Sequence, residues 1–191
     1  MAADNIHGWG TTSSLSSVQT TDTDVPDAPT NVMTAVSSSG LGIDITWDPI
    51  TDNGATVTEV QVYIETANGT YSIDTSECDG TTDSTIVSNR MCTVLMTTLR
   101  GSPWLLVYGE EVVAHVLAYN SVGWSTASND STGGATIQTE PTQMSAPTIT
   151  GHTSRTVSVS WTALTTEAQI GGSSITSYAL WYAESPYTTW T

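Results

Sequence analysis

This chain carries one long pattern more than once, and the surplus copies sit at its two ends. Ala118-Tyr119-Asn120-Ser121-Val122-Gly123-Trp124 has an echo in Asp4-Asn5-Ile6-His7-Gly8-Trp9. Ala28-Pro29 followed by Ile45-Thr46-Trp47 has an echo in Ala146-Pro147 followed by Val159-Ser160-Trp161. The copies lie about 114 to 118 residues apart, an ordinary domain length. The pattern therefore reads as the tail of one module (residues 1–24), one whole module (25–140) and the head of a third (141–191). That organisation suits part of a string of modules better than a stand-alone enzyme.

The modules are all-β. Short alternating runs separated by Gly, Pro, Asn and Asp clusters dominate, and no long segment has a helical period. Ile43, Ile45 and Trp47 fall on one face of a strand, as do Val112, Ala114, Val116 and Ala118. Val57, Val60, Val62 and Ile64 line another strand. Ile175, Tyr178, Leu180 and Tyr182 occupy the matching places near the C-terminus. Ser84–Val87 reads as a short β-like segment, and 135–139 as the closing strand. Asp22–Pro29 and Glu140–Pro147 are polar, proline-bearing junctions.

Charge narrows the partners. Nineteen acidic residues face three arginines and no lysine, for a net charge of −16. Phosphate-backbone binding relies on Lys and Arg to displace counterions, so nucleic acid is excluded, and anionic membrane surfaces are disfavoured. No run approaches the length of apolar sequence that spans a bilayer, and Met1 opens into polar sequence with no signal-peptide pattern. The plain reading of the acidity is solubility and self-repulsion.

The whole module resembles a fibronectin type III domain. The features that carry the resemblance are Pro26-Asp27-Ala28-Pro29, Trp47 followed by Asp48-Pro49, the Asn53-Gly54 turn before Val57 and Val60, and Ala118-x-Asn120-x-x-Gly123. The resemblance implies tandem immunoglobulin-like β-sandwiches, one complete and two partial: strands F and G, then a full domain, then strands A to C. Two departures stand out. Val112 occupies the register of the usual strand-F tyrosine, so the tyrosine corner is lost unless Tyr108 substitutes. A cysteine pair is also unusual. Cys78-Asp79-Gly80 through Cys92, with Pro103-Trp104 and Gly109-Glu110-Glu111-Val112, is similar to a variant found in large, tandem-repeated ciliate surface or secreted proteins. That likeness implies an extracellular, non-enzymatic parent.

Cys78 and Cys92 are expected to pair, which places the chain in an oxidising compartment; the rival reading is two reduced cysteines. Asn68-Gly69-Thr70 and Asn129-Asp130-Ser131 are N-glycosylation sequons between predicted strands. O-glycans on Thr20-Thr21-Asp22-Thr23 compete with a plain solvated linker. No cofactor is expected. Asp22, Asp24 and Asp27 are weak candidates for calcium, but the second junction offers only Glu140. His7, His115 and His152 are scattered, and no catalytic constellation stands out. Trp47 and Trp161 read as sandwich core, and Trp9 and Trp124 as equivalent positions in F–G turns. Trp104, Trp181 and Trp190 are left as candidates for stacking on sugar rings.

The leading reading is an extracellular or cell-surface structural protein, a segment of a tandem-repeat rod or filament. Its partners would be neighbouring repeats or other copies of itself, with glycans attached and no membrane insertion. The partial modules could associate head to tail between copies, or belong to one longer covalent string. The alternative is a carbohydrate- or protein-binding adhesin or receptor ectodomain module; an intracellular giant-muscle-type repeat comes third.

Overall fold

The computed structural model describes residues 1–14 and 22–183. In chain order its elements are β1 (Asp4–Asn5), β2 (Gly8–Trp9), β3 (Met33–Val36), β4 (Gly42–Thr46), β5 (Glu59–Glu65) and β6 (Tyr71–Ile73). There follow α1 (Ser84–Asn89), β7 (Met91–Leu95), α2 (Met96–Leu99), β8 (Ala114–Tyr119), β9 (Thr148–His152), β10 (Val157–Ser160) and α3 (Glu167–Ile170).

The middle of the chain is a two-sheet antiparallel sandwich. One sheet runs β3-β4-β7 and the other β6-β5-β8, an immunoglobulin-like arrangement. Strand alternation explains the core. Ile43 and Ile45 from β4, Val60, Val62 and Ile64 from β5, and Ala114, Val116 and Ala118 from β8 are fully buried between the sheets. Each larger aliphatic side chain removed from water in this way stabilises the fold by about 1.5–3 kcal/mol. Trp47, just past β4, is 5% exposed and joins the same core.

Between the sheets runs the Cys78–Cys92 disulfide, with a Cα–Cα distance of 5.3 Å. Cys92 lies on β7 opposite Ile45 of β4, whereas Cys78 ends the crossover that follows β6. That crossover is ordered by Asp74, which is fully buried. Its Oδ1 accepts the backbone N–H groups of Ser76, Glu77 and Cys78 at 2.9, 2.7 and 2.9 Å. One carboxylate thus replaces three solvent partners and delivers Cys78 to the core.

Three local expectations change. Residues 84–87 form helix rather than β-structure, because the Asp83 carboxylate accepts from Thr85 N–H at 2.8 Å and caps the first turn. Arg90 then ends α1 in the left-handed conformation, with φ 54°. The closing segment 135–139 is hydrogen-bonded but not a regular strand. Val112 N–H donates to Ala135 C=O and Ile137 N–H to Glu110 C=O, at 2.8 and 2.9 Å. Finally, 175–182 does not form a strand. Its counterpart β5 pairs with β8, and no equivalent of β8 lies beside 175–182 among the described residues.

The tyrosine corner is indeed missing. Val112 is fully buried in place of a tyrosine. Tyr108 does not substitute: its ring lies against Gly172 of the following segment, and among the described residues its hydroxyl has no backbone partner.

Candidate interaction surfaces

The C-terminal segment presents an exposed apolar groove. β9 and β10 pair antiparallel, with Ser160 opposite Thr148. The chain then turns through α3, where Thr166 and Gln169 form a reciprocal capping box. Gly171 and Gly172 follow at φ 68° and 77°. Asn53 and Gly54 hold the same pair of left-handed conformations, φ 52° and 86°, at the matching turn of the central domain. Ser173 N–H to Ile170 C=O also matches Ala55 N–H to Asp52 C=O. The turn is therefore the same turn, built about 118 residues later.

On either side of that turn the two modules diverge. Trp161, expected as core, is 48% exposed, against 5% for Trp47. Leu180 is 49% exposed, although its counterpart Val62 is fully buried. Trp161, Tyr178, Leu180 and Trp181 line an open groove of about 370 Å³ with Met144 and Pro147, and the rings of Trp161 and Tyr178 lie 5.9 Å apart. A connected apolar patch of this kind is a binding surface or an aggregation hazard.

The N-terminal segment repeats hydrogen bonds found after β8. In the central domain, Val116 N–H donates to Ser128 Oγ at 3.0 Å. Ser128 N–H returns to Val116 C=O at 3.0 Å, and Ser125 N–H donates to Ala118 C=O at 2.8 Å. About 115 residues earlier, the Met1 ammonium donates to Ser13 Oγ at 2.8 Å. Ser13 N–H donates to Met1 C=O and Gly10 N–H to Ala3 C=O, both at 2.8 Å. The bridge between Tyr119 and Trp124 is matched by Asp4 opposite Trp9. Asn5 Oδ1 accepts His7 N–H just as Asn120 Oδ1 accepts Val122 N–H, both at 2.9 Å. Residues 1–13 therefore repeat the main bonds of the corner that follows β8, although Gly10 has no hydroxyl to match that of Ser125.

A third surface lies on the outer face of the β6-β5-β8 sheet. The His115 ring sits 5.3 Å from Tyr63 and 4.3 Å from Tyr71. Tyr71 donates its hydroxyl to Asp130 Oδ1 at 2.8 Å, and His115 Nδ1 approaches the same oxygen at 3.7 Å. Burial and the Asp130 carboxylate push the Tyr71 phenol well above its ordinary value. Cross-strand alternation puts these rings side by side: His115 is opposite Tyr63 in the ladder.

The other expected sites fall out as follows. Asn68 is exposed in a tight turn, its Oδ1 accepting from Thr70 N–H and Thr66 and Thr70 hydroxyls. Asn129 is exposed beside Ser131. Asp24 and Asp27 spend oxygens inside the protein, on Val25 N–H at 2.7 Å and Asn53 Nδ2 at 3.0 Å. Among the described residues no three acidic, Cys or His groups, Asp22 included, converge as a metal set. Trp104 is not a free ring for a sugar: it is 5% exposed in the core. Trp181 is exposed in the groove, whereas Trp190, Thr20 and Thr21 lie outside the described residues. Trp124 is half-buried against Tyr119, but Trp9 is open to solvent.

No family model matches this chain, and no curated protein matches it. Among solved structures it is similar to the chicken CNTN1 FN1–FN3 domains, at 15% identity over 76% of this chain and 44% of that one, with a TM-score of 0.42. It is also similar to titin kinase and its flanking domains, at 23% identity over 56% of this chain and 16% of that one, with a TM-score of 0.40. The twitchin kinase region from C. elegans matches at 18% identity over 57% and 16%, with a TM-score of 0.40. The matched region is thus a minor part of each of those proteins. The fold of this chain stands on its own strand order rather than on these likenesses.

Proposed function

We propose that this chain is a segment of an extracellular, non-enzymatic rod or filament built from tandem fibronectin type III-like sandwiches. Residues 25–140 form the complete bead, 1–24 the F–G end of a preceding one, and 141–191 the A-to-C start of the next. The observation that carries this reading is the repeated corner: Met1 and Ser13 exchange the two bonds that Val116 and Ser128 exchange.

The stretches that lead into and out of the central bead are tied down by hydrogen bonds. Asn120 Nδ2 donates to the carbonyls of Asp24 and Asp52 at 2.7 and 3.1 Å, and Asn53 Nδ2 to that of Val25 at 2.8 Å. The lead-in segment is thereby tied to two loops of its own bead. At the far junction, Thr139 and Thr142 N–H groups donate to the carbonyls of Gly171 and Gln169, at 2.9 and 2.8 Å. Contacts between nearest neighbours are all such an array needs. The disulfide suits an oxidising exterior, exposed Asn68 and Asn129 would carry glycans, and the acidity would keep strings apart. The cysteine-bearing variant of large ciliate surface proteins is the narrower family we assign it to. Electron microscopy of the native material tests the reading: a rod with one bead per module is expected, and isolated globular particles would overturn it.

A second reading has one observation in its favour, the Tyr63–His115–Tyr71 platform beside Asp130. Aromatic faces with an adjacent carboxylate suit a carbohydrate ring, which would make the bead an adhesin module. A glycan array with the chain and its Tyr63→Ala variant tests it. Selective binding lost in the variant supports adhesion, and absence of selective binding counts against it.

A further inference from the structure

We infer that the groove at the C-terminal end is a docking site for the Met1–Ser13 hairpin of a second copy of this chain. The template is inside the molecule. In the central domain β8 and its F–G corner seat on β5 with Val60 opposite Ala118 and Val62 opposite Val116. All four residues are fully buried there. Transferring each partner to its repeat position sets Tyr178 against Ala3 and Leu180 against Met1. Tyr178 and Leu180 line the groove, and Ala3 and Met1 are the residues whose carbonyls receive Gly10 and Ser13 N–H in the hairpin. The hairpin is thus already folded in the shape that covers this face in the finished bead.

The side-chain clamp transfers too. Asn120 Nδ2 holds the carbonyls of Asp24 and Asp52. The corresponding carbonyls of the second copy belong to Thr142 and Ile170, and Asn5 has its Oδ1 engaged as Asn120 does. The contact joins two different surfaces, so it is heterologous and propagates rather than closing. A net charge of −16 on each copy opposes it. Association therefore strengthens with ionic strength, as screening removes repulsion from an apolar, hydrogen-bonded contact.

This inference rests on reading both ends as partial modules, and its test is separable from the one above. Sedimentation velocity on the 191-residue chain, from low micromolar to about 100 μM, is expected to give open-ended association that grows with salt. Leu180→Asp spoils the groove and Ala3→Asp spoils the hairpin. Each buries an unpaired carboxylate at the contact and is expected to weaken association on the order of a hundredfold or more. Both variants leave the 25–140 sandwich intact, which an unchanged thermal transition of that domain verifies. An equimolar mixture of the two is the decisive sample. Only the hairpin of the Leu180→Asp chain can enter the groove of the Ala3→Asp chain, so a 1:1 dimer that grows no further is expected. A monomeric native chain, a native dimer that stops at two, or no dimer in the mixture would each overturn the docking. A monomeric chain alongside beaded native filaments would overturn the docking alone and leave the bead-string reading standing.

Discussion

Val116 and Ser128 hold each other by two bonds, one through the serine hydroxyl and one through its backbone N–H, both at 3.0 Å. Ala114 with Ser131 and Ala118 with Ser125 do the same, at 2.8–3.0 Å. The serines recur every third residue while β8 advances by two, so the facing segment bulges at every step. Each hydroxyl stands in for a ladder carbonyl. Ser128→Ala leaves a buried N–H without its acceptor. We expect a loss of about 1–2 kcal/mol in urea unfolding, with Ser128→Thr retaining part of it and exposed Ser121→Ala close to neutral.

Asn120 is the second keystone. It is fully buried and uses both ends of its amide. Nδ2 holds the Asp24 and Asp52 carbonyls, and Oδ1 receives Val122 and Gly123 N–H at 2.9 and 3.2 Å. Asn120→Ala is expected to cost about 3 kcal/mol, since several buried groups lose partners together. Hydrogen exchange should show the distinctive part of the loss: the Asp24 and Asp27 amides, which donate to Asn53 and Thr51 carbonyls, open ahead of the β5 and β8 amides.

Much of this architecture was legible in the sequence, and the parts that were not have physical reasons. β4, β5 and β8 announce themselves because alternation is what a half-buried strand requires. The repeat of Asn5-x-x-Gly8-Trp9 and Asn120-x-x-Gly123-Trp124 pointed to the corner that the hydrogen bonds then matched. The serine ladder gives no periodic signal because its three-residue step belongs to neither regular period. It was nonetheless visible as Ser125, Ser128 and Ser131, echoed by Ser13. Helix α1 was obscured by Thr, Ile and Val, which favour strands intrinsically, whereas the Asp83 cap favours a helix start. Asp74 carried no sequence signal at all, one acidic residue among many. Trp161 has the right neighbours for a core position but no strand covers it among the described residues, and burial is a property of the assembled face rather than of the residue.

The disulfide gives a direct stability test. Cys78 and Cys92 are 14 positions apart, and closing a loop of that size stabilises a domain by about 3 kcal/mol through the unfolded chain. The Cys78→Ala/Cys92→Ala double variant should lose close to that amount in chemical denaturation. Cys92→Ala alone should behave no better, since it leaves Cys78 as a free thiol in the core. A double variant as stable as the native chain would show that packing between β7 and the 74–78 crossover holds without the bond.

Tyr71 supplies the pH test. Its phenol is raised above the ordinary value, first by burial, then by the hydrogen bond it donates to Asp130 and by the charges of Asp130 and Glu65. The neutral form is the one the fold favours, because a phenolate could not donate to that carboxylate. The unfolded chain ionises tyrosine near the ordinary value of about 10. The contribution to stability is therefore fully present below about pH 10 and is lost as pH rises above it, towards the raised folded value. An ultraviolet absorbance titration of the folded protein should show one tyrosine that resists ionisation beyond the ordinary range. Tyr71→Phe should remove that lagging fraction and flatten the fall in stability above pH 10. If the lagging fraction persists in Tyr71→Phe, the bond between Tyr71 and Asp130 is not what holds the phenol protonated.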